Sequence, residues 1–260
     1  DGGQNWNDLG EILSGSTYYG SFAFTVTSSQ YIVATDGSGN MYHSTDAGLN
    51  WTQTFTTPGS ILPFYLGSAV PVFADAQIGY FGYGPGFIIK TTDAGNSWFQ
   101  ISSGTGQSLN DVDRLPNGNL IAVGDNGTIL TNAGGTSQWI LQPSISQYKI
   151  KAVQVVSQSE VVSLDEIGQV YMSTDGGLSW TAANTIPPDL SPAEDINFKT
   201  LLEGWVIGQG GTALYRTSDG GNTWIPVPDF GGAYVSVDVE GQNIWANNIT
   251  GLFYRSIDNG

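Results

Sequence analysis

Short apolar runs of about three to six residues, each bounded by Gly, Asp, Asn or Ser, recur along the whole chain. They read as β-strands joined by tight turns. Grouped in threes, the runs fall at 22–26, 31–35 and 41–44; 71–73, 79–82 and 87–91; and 109–115, 120–124 and 128–131. Three further groups fall at 151–156, 161–164 and 169–173; 196–199, 204–208 and 213–217; and 234–239, 243–246 and 252–256. The third run of each group leads into a polar phrase, after which a fourth strand begins.

That phrase is Ser/Thr, any residue, Asp, any residue, Gly, two more, then Trp. It stands intact as STDAGLNW at 44–51, TTDAGNSW at 91–98, STDGGLSW at 173–180 and TSDGGNTW at 217–224. A damaged copy runs from Thr131 to Trp139, read with Ala133 in the Asp slot and one extra residue. The chain opens within a copy (Asp1, Trp6) and stops within another (Asp258). The Asp slots at 1, 46, 93, 133, 175, 219 and 258 are 39 to 47 residues apart. A period of about 40 to 50 residues with short strands is that of one four-stranded propeller blade.

The expected fold is therefore all-β, a six-bladed β-propeller of four-stranded blades filling 1–260 as one domain. Residues 5–10 form a fourth strand without its first three, and 234–256 form three strands without a fourth. Joining them closes the ring and hides the sheet edges. The alternative is a slice of a propeller with seven or eight blades.

Composition narrows the function. The 260 residues carry 23 acidic and 7 basic side chains, a net charge of −16. Such a surface repels nucleic-acid phosphates and anionic lipid, and favours cations or basic protein surfaces. The absence of Cys removes disulfides, thiolate metal sites and thiol nucleophiles. No run approaches the ~20 apolar residues of a membrane helix. His43 is the one histidine, so no multi-histidine metal site or Ser-His-Asp triad is expected.

The phrase resembles the Asp-box, or bacterial neuraminidase repeat, and the resemblance covers the whole chain. The text around it, Asp111-Val112 with IAVGDNGTIL at 121–130 and GWVIG at 204–208 followed by 212–224, is most similar to the photosystem II assembly and stability factor family and its bacterial relatives. The resemblance implies a propeller in which the Asp-box turns join the third and fourth strands, away from the ligand-binding face. The sialidases that share the repeat clamp substrate with three arginines. Here Arg216 and Arg255 hold the same repeat position as Lys90 and His43, and no Phe/Tyr-Arg-Ile-Pro sequence occurs. The assembly-factor relatives carry a basic patch, whereas this chain is acidic, which fits an extracytoplasmic or cell-surface module.

By residue chemistry the phrase is a hairpin lock. Ser/Thr and Asp side chains bond nearby backbone, Gly permits positive φ, and Trp buries about 200 Å². We therefore read Asp1, Asp46, Asp93, Asp175, Asp219, Asp258, Trp6, Trp51, Trp98, Trp139, Trp180 and Trp224 as structural. Binding is expected on the opposite face, from the turns between second and third strands and from the connections at 10–20, 58–70 and 184–195. Candidate contacts are the loop aromatics Tyr18, Tyr19, Phe64 and Tyr65 and the carboxylates Asp36, Asp125, Glu194 and Asp195. Asp111, Asp113, Asp165 and Glu166 lie near the same channel mouth. No catalytic constellation or metal site stands out, and no cofactor is expected. Ca²⁺ at the 36–40 turn remains open on its oxygen ligands, although the usual alternation of Asp is missing.

The reading is a non-enzymatic protein-binding or assembly module, secreted, periplasmic or at the cell surface, with its partner in a larger complex or in the same polypeptide. The alternative is a carbohydrate-active propeller that binds or cleaves glycans with channel carboxylates. Deleting residues 1–10 should lower the melting temperature by removing the closing strand. An unchanged melting curve would rule out closure through that segment.

Overall fold

The three central residues of β18 (Gly204–Gly208) are apolar in succession and every residue of the strand is buried, because neighbouring sheets cover both of its faces. Trp205 and Ile207 pack into one core and Val206 into the next. This period of two, read against two cores, is the plan of the whole fold. The computed structural model describes residues 23–26, 28, 30–36, 40–56, 71–83, 86–133, 136–184, 186–187, 190, 192–208, 214–227, 234–240, 242–248 and 253–256.

Six antiparallel sheets follow one another along the described chain. The first orders β1 (Ala23–Val26), β2 (Ile32–Thr35), β3 (Met41–Ser44) and β4 (Thr52–Phe55). The second orders β5 (Val72–Phe73), β6 (Gly79–Tyr83), β7 (Phe87–Thr91) and β8 (Phe99–Ser102). The third has β9 (Leu109–Arg114), β10 (Leu120–Gly124), β11 (Ile129–Asn132) and β12 (Trp139–Leu141). The fourth has β13 (Ile150–Val155), β14 (Val161–Asp165), β15 (Val170–Ser173) and β16 (Thr181–Ala182). The fifth pairs β17 (Ala193–Phe198), β18, β19 (Leu214–Thr217) and β20 (Ile225–Pro226). The sixth holds β21 (Tyr234–Glu240), β22 (Asn243–Asn248) and β23 (Phe253–Ser256). This is the expected six-bladed propeller. The closing segment 5–10, with Asp1, Trp6 and Asp258, lies outside the described residues.

Each junction has its own core. Val33 and Met41 of the first blade meet Phe81, Ile89 and Trp98 of the second. Tyr80 and Ile88 meet Val112, Leu120 and Leu130, with Trp139 against them. Ile121 and Ile129 meet Ile150 and Val161, with Trp180 alongside. Val162 and Leu164 meet Ile196, Phe198 and Tyr215, with Trp224 alongside. Trp205 and Leu214 meet Tyr234, Val237 and Ile244. In the four junctions from the first blade to the fifth, the Trp of one blade packs on the core it shares with the blade before it. Ala34 and Tyr42 hold the repeat positions of Val206 and Tyr215 and are 0% and 2% exposed, so the outer face of the first blade is covered too.

The Asp-box is the local lock that the residue types imply. In the fourth blade Ser173 donates to Asp175 Oδ1 (2.8 Å) and accepts from the Gly177 N–H (2.9 Å). Asp175 Oδ1 accepts from the Ser179 N–H (2.8 Å), and Trp180 Nε1 donates to the Gly177 carbonyl (3.1 Å). The Ser/Thr, Asp and Gly bonds recur around Asp46, Asp93 and Asp219. Trp51 and Trp98 repeat the indole bond, whereas Trp224 points to the Asn184 carbonyl at 3.4 Å.

Two expectations shift in register. Asn132 faces Leu120 across the sheet, just as Ser173 faces Val161 and Thr217 faces Gly204. The damaged copy therefore starts at Asn132, not Thr131, and needs no extra residue. Gly134, not Ala133, falls in the Asp slot. The Asn132 amide replaces the lost carboxylate by donating to the Thr136 and Gln138 carbonyls (3.0 and 2.6 Å). Secondly, β17 starts at Ala193, so Glu194 and Asp195 lie in the innermost strand, not in the loop before it. A bulge at Glu194 interrupts the alternation there and hides the strand start from the sequence pattern.

Gly177 sits at φ +89°, and a Cβ on it would lie 2.4 Å from Ile121 of the third blade. Gly118 has the same φ with nothing within 4 Å. Gly118→Ala should cost about 1 kcal/mol from backbone strain. Gly177→Ala should cost roughly 2–4 kcal/mol, because it also wedges two blades apart. Urea midpoints will compare them, and equal losses would show that the Asp-box does not pack tightly on its neighbour.

Candidate functional site

Strand direction assigns every turn to a face. Asp-box turns and first-to-second-strand turns share one face, as the Gly176 N–H bond to the Ser159 carbonyl (2.8 Å) shows. The second-to-third-strand turns and the connections into each innermost strand share the other. We take this second face as the candidate site, with the innermost strands forming its floor.

The innermost strands do not pair with one another, and side chains span the gap between them. Asp111 Oδ2 accepts from the Val153 N–H (2.9 Å) and Asp113 Oδ2 from the Val155 N–H (2.6 Å) of the next blade. Gln154 Oε1 takes the Phe198 N–H (2.5 Å), and Asp195 Oδ2 takes the Val237 N–H (3.0 Å). Their second oxygens are used as well: Asp111, Asp113 and Asp195 each accept from the following N–H of their own strand. Burial pushes all three carboxyls up, Asp111 well above the ordinary range and Asp195 to about 6, against the opposing pull of the backbone donors.

Above this floor, four successive innermost strands start with a bulge that places one extra residue at the rim: Asn110, Lys151, Glu194 and Val235. Asn110 donates to the Ile150 carbonyl (2.8 Å) and to Asp125 Oδ1 (3.2 Å). Lys151 pairs with Glu194 at 2.6 Å, and Lys149 lies 3.4 Å from Asp125. Asp125 and Glu194 thus belong to one polar rim over the third to fifth blades.

Asp36 stands elsewhere. Its oxygens accept from the Asn40 N–H (2.9 Å), the Asn40 amide (2.8 Å) and the Tyr42 hydroxyl (2.9 Å). Burial, and then this hydrogen bond, push the Tyr42 phenol up. Asp165 holds the equivalent turn, accepting from Gln169 N–H and from the Ser146 and Tyr171 hydroxyls. Among the described residues no group of three or more His, Asp or Glu could hold a metal. Tyr18, Tyr19, Phe64 and Tyr65 lie outside the described residues.

Sequence reasoning missed Tyr148 and Ile167, which are 38% and 44% exposed on this face. Tyr148 lies in a short connection, 142–149, whose polar residues carry no binding signal. It also missed Lys149 and Lys151, the latter placed by a bulge that no spacing reveals.

The family model for the photosynthesis system II assembly factor YCF48 matches residues 81–229. Curated relatives include the photosystem II assembly lipoprotein Ycf48 of Synechococcus sp. (strain CC9902), 23% identical over 86% of this chain and 66% of that protein. The protein of the same name from Nostoc sp. (strain PCC 7120 / SAG 25.82 / UTEX 2576) is 30% identical over 54% of this chain and 41% of its own. The chain thus spans less than two thirds of these relatives. Among solved structures, YCF48 bound to D1 peptide matches 99% of this chain and 84% of that one, with a TM-score of 0.73 and 20% identity. An ancestral GH74 enzyme matches 91% of this chain and 38% of its own, with a TM-score of 0.69 and 15% identity. Both likenesses concern the fold.

The two sets of carboxylates predict opposite pH limbs. The pKa of Asp195 is raised from its ordinary value, so its contribution to stability is complete below about 4 and is lost as pH rises through about 6. Asp175, held at about 2 by the Ser179 hydroxyl and N–H, contributes above about 4 and loses it as pH falls through about 2. Melting temperature should therefore peak near about pH 4. Asp195→Asn should flatten the fall between about pH 4 and 7, whatever its constant offset from a lost N–H acceptor. The limb is worth up to about 3 kcal/mol. An unflattened limb in melting scans would show that Asp195 does not titrate there.

Proposed function

The chain belongs to the photosynthesis system II assembly factor YCF48 family, and from that premise we propose that it is a non-enzymatic protein-binding module that assists assembly of a larger complex. The family match over 81–229 carries the reading. The acidic balance, which sets the chain apart from the basic patch implied by the resemblance, does not remove it from the family. A relative of the same fold has been solved with D1 peptide, and we extend peptide binding to this chain. The binding face is the one opposite the Asp-box turns, where Asp125 and Glu194 line the rim. The loop aromatics Tyr18, Tyr19, Phe64 and Tyr65 remain proposed contributors, while Asp36 and Asp195 act on the face through the turn and the inner strands whose donors they accept. Residues 1–260 act as one propeller, with no cofactor.

The use of Asp111, Asp113 and Asp195 as backbone acceptors supports a binding role over glycoside hydrolysis, since no pair of them is left as acid and nucleophile. The curated relatives are named lipoproteins. Among the described residues no helix is long and apolar enough to cross a membrane. The lipoprotein names support a location outside the cytoplasm, in the periplasm, secreted or at the cell surface.

Titration with D1 peptide by calorimetry is the test. Saturable binding with no turnover of a polysaccharide panel is expected. Glycan hydrolysis abolished by a single Asp→Asn change would overturn the reading.

A further inference from the structure

The connection between β12 and β13 builds a firm exposed step over the third and fourth blades. The Tyr148 carbonyl accepts from the Gly127 N–H (2.8 Å), and the Lys149 carbonyl accepts from the Glu166 N–H (2.8 Å). Glu166 Oε1 in turn accepts from the Lys149 N–H (3.2 Å). Residues 148–149 are thereby pinned to the inter-strand turns of two adjacent blades at once. A Cβ on Gly127 would lie 1.9 Å from the Ser146 carbonyl, so the step admits no slack. Asn126 beside it is held at φ 54° and donates to Gln107 Oε1 at 2.7 Å.

This connection exposes Tyr148, and the fourth-blade turn to which it is pinned exposes Ile167. The same two turns carry the carboxylates of Asp125 and Glu166, with Lys149 partnered to Asp125 at an exposed 3.4 Å. An exposed pair of that length and exposure holds its lysine weakly. An aromatic and an aliphatic side chain on a rigid base, with acids at their edge, form a preorganised anchor site.

Resting on the protein-binding reading above, we infer that Tyr148 and Ile167 dock an extended segment of the partner that carries an apolar side chain next to a Lys or Arg. The apolar residue lies on Tyr148 and Ile167, and its basic neighbour meets Asp125 and Glu166. Charge selects the occupant: in a chain of net charge −16, an acidic segment is repelled before contact. The opposite face offers exposed Leu49, Leu178 and Leu202, but each lies in a turn of a separate blade.

The test uses the full chain, D1 peptide, a synthetic peptide of Lys, Leu and Gly, and its Glu-for-Lys counterpart. Tyr148→Ala with Ile167→Ser should weaken binding of D1 peptide and of the Lys peptide at least tenfold. Asp125→Asn with Glu166→Gln should weaken the Lys peptide and reduce its salt dependence. Leu49→Ser with Leu178→Ser should change neither by more than twofold, and melting curves confirm that all variants fold. The unmodified chain should bind the Lys peptide at least tenfold more tightly than the Glu peptide. If D1 peptide binds but the Tyr148 and Ile167 changes leave it untouched, or if the Leu49 and Leu178 changes take the loss, this inference falls and the protein-binding reading stands. Equal or tighter binding of the Glu peptide also overturns it. If the unmodified chain binds neither D1 peptide nor the Lys peptide, the protein-binding reading falls, and this inference with it.

Discussion

Among the described residues no hydrogen-bonded ladder joins one sheet to the next, so the blades are held together mainly by side chains, with single backbone bonds such as Asn184 N–H to the Gly221 carbonyl (3.2 Å) beside them. Most of it is apolar packing between sheet faces, which is strong but does not fix register. Register comes from polar contacts at three radii and heights. The Asp-box turns press glycine backbone against the preceding blade. The inner carboxylates and Gln154 reach the next innermost strand. The bulge residues Asn110, Lys151 and Glu194 link blade to blade at the rim.

These contacts differ in their electrostatic cost. The Asp-box carboxylates stand near solvent and are supplied with donors, so their negative charge is held cheaply and Asp175 titrates low. The inner carboxylates are enclosed, and two backbone donors each do not repay the loss of water. The propeller keeps them because the innermost strands have N–H groups that no ladder satisfies. A carboxylate that serves one strand and its neighbour together meets that need with a single side chain. It follows that acids at the channel are not by themselves a sign of catalysis in this fold.

Division of labour between the faces follows from the same constraint. One face is occupied by locks whose side chains bond their own turns. The other is framed by turns pinned through glycines such as Gly127, which hold Tyr148, Lys149, Glu166 and Ile167 on a fixed base. Rigid scaffold beneath and side chains free to contact a partner above is the arrangement that a binding surface requires.

The sequence alone determined the strands, the number of blades and the lock, because each rests on local chemistry: apolar alternation, turn residues and the Ser/Thr-Asp-Gly-Trp phrase. It placed β10 (Leu120–Gly124) and β18 without error. It misplaced the start of the damaged phrase at Thr131, since only cross-strand pairing with Leu120 identifies Asn132 as the anchoring residue. It put Glu194 and Asp195 in a loop, since a bulge breaks the alternation that marks a strand. Whether an aspartate holds a turn, as Asp36 does, bridges two strands, as Asp195 does, or sits on a rim, as Asp125 does, was decided by the tertiary structure. Asp36 acts within 6 positions of itself, but Asp125 meets Asn110 15 positions away and Asp195 meets Val237 42 positions away, brought alongside by the ring, and no local pattern encodes those partners.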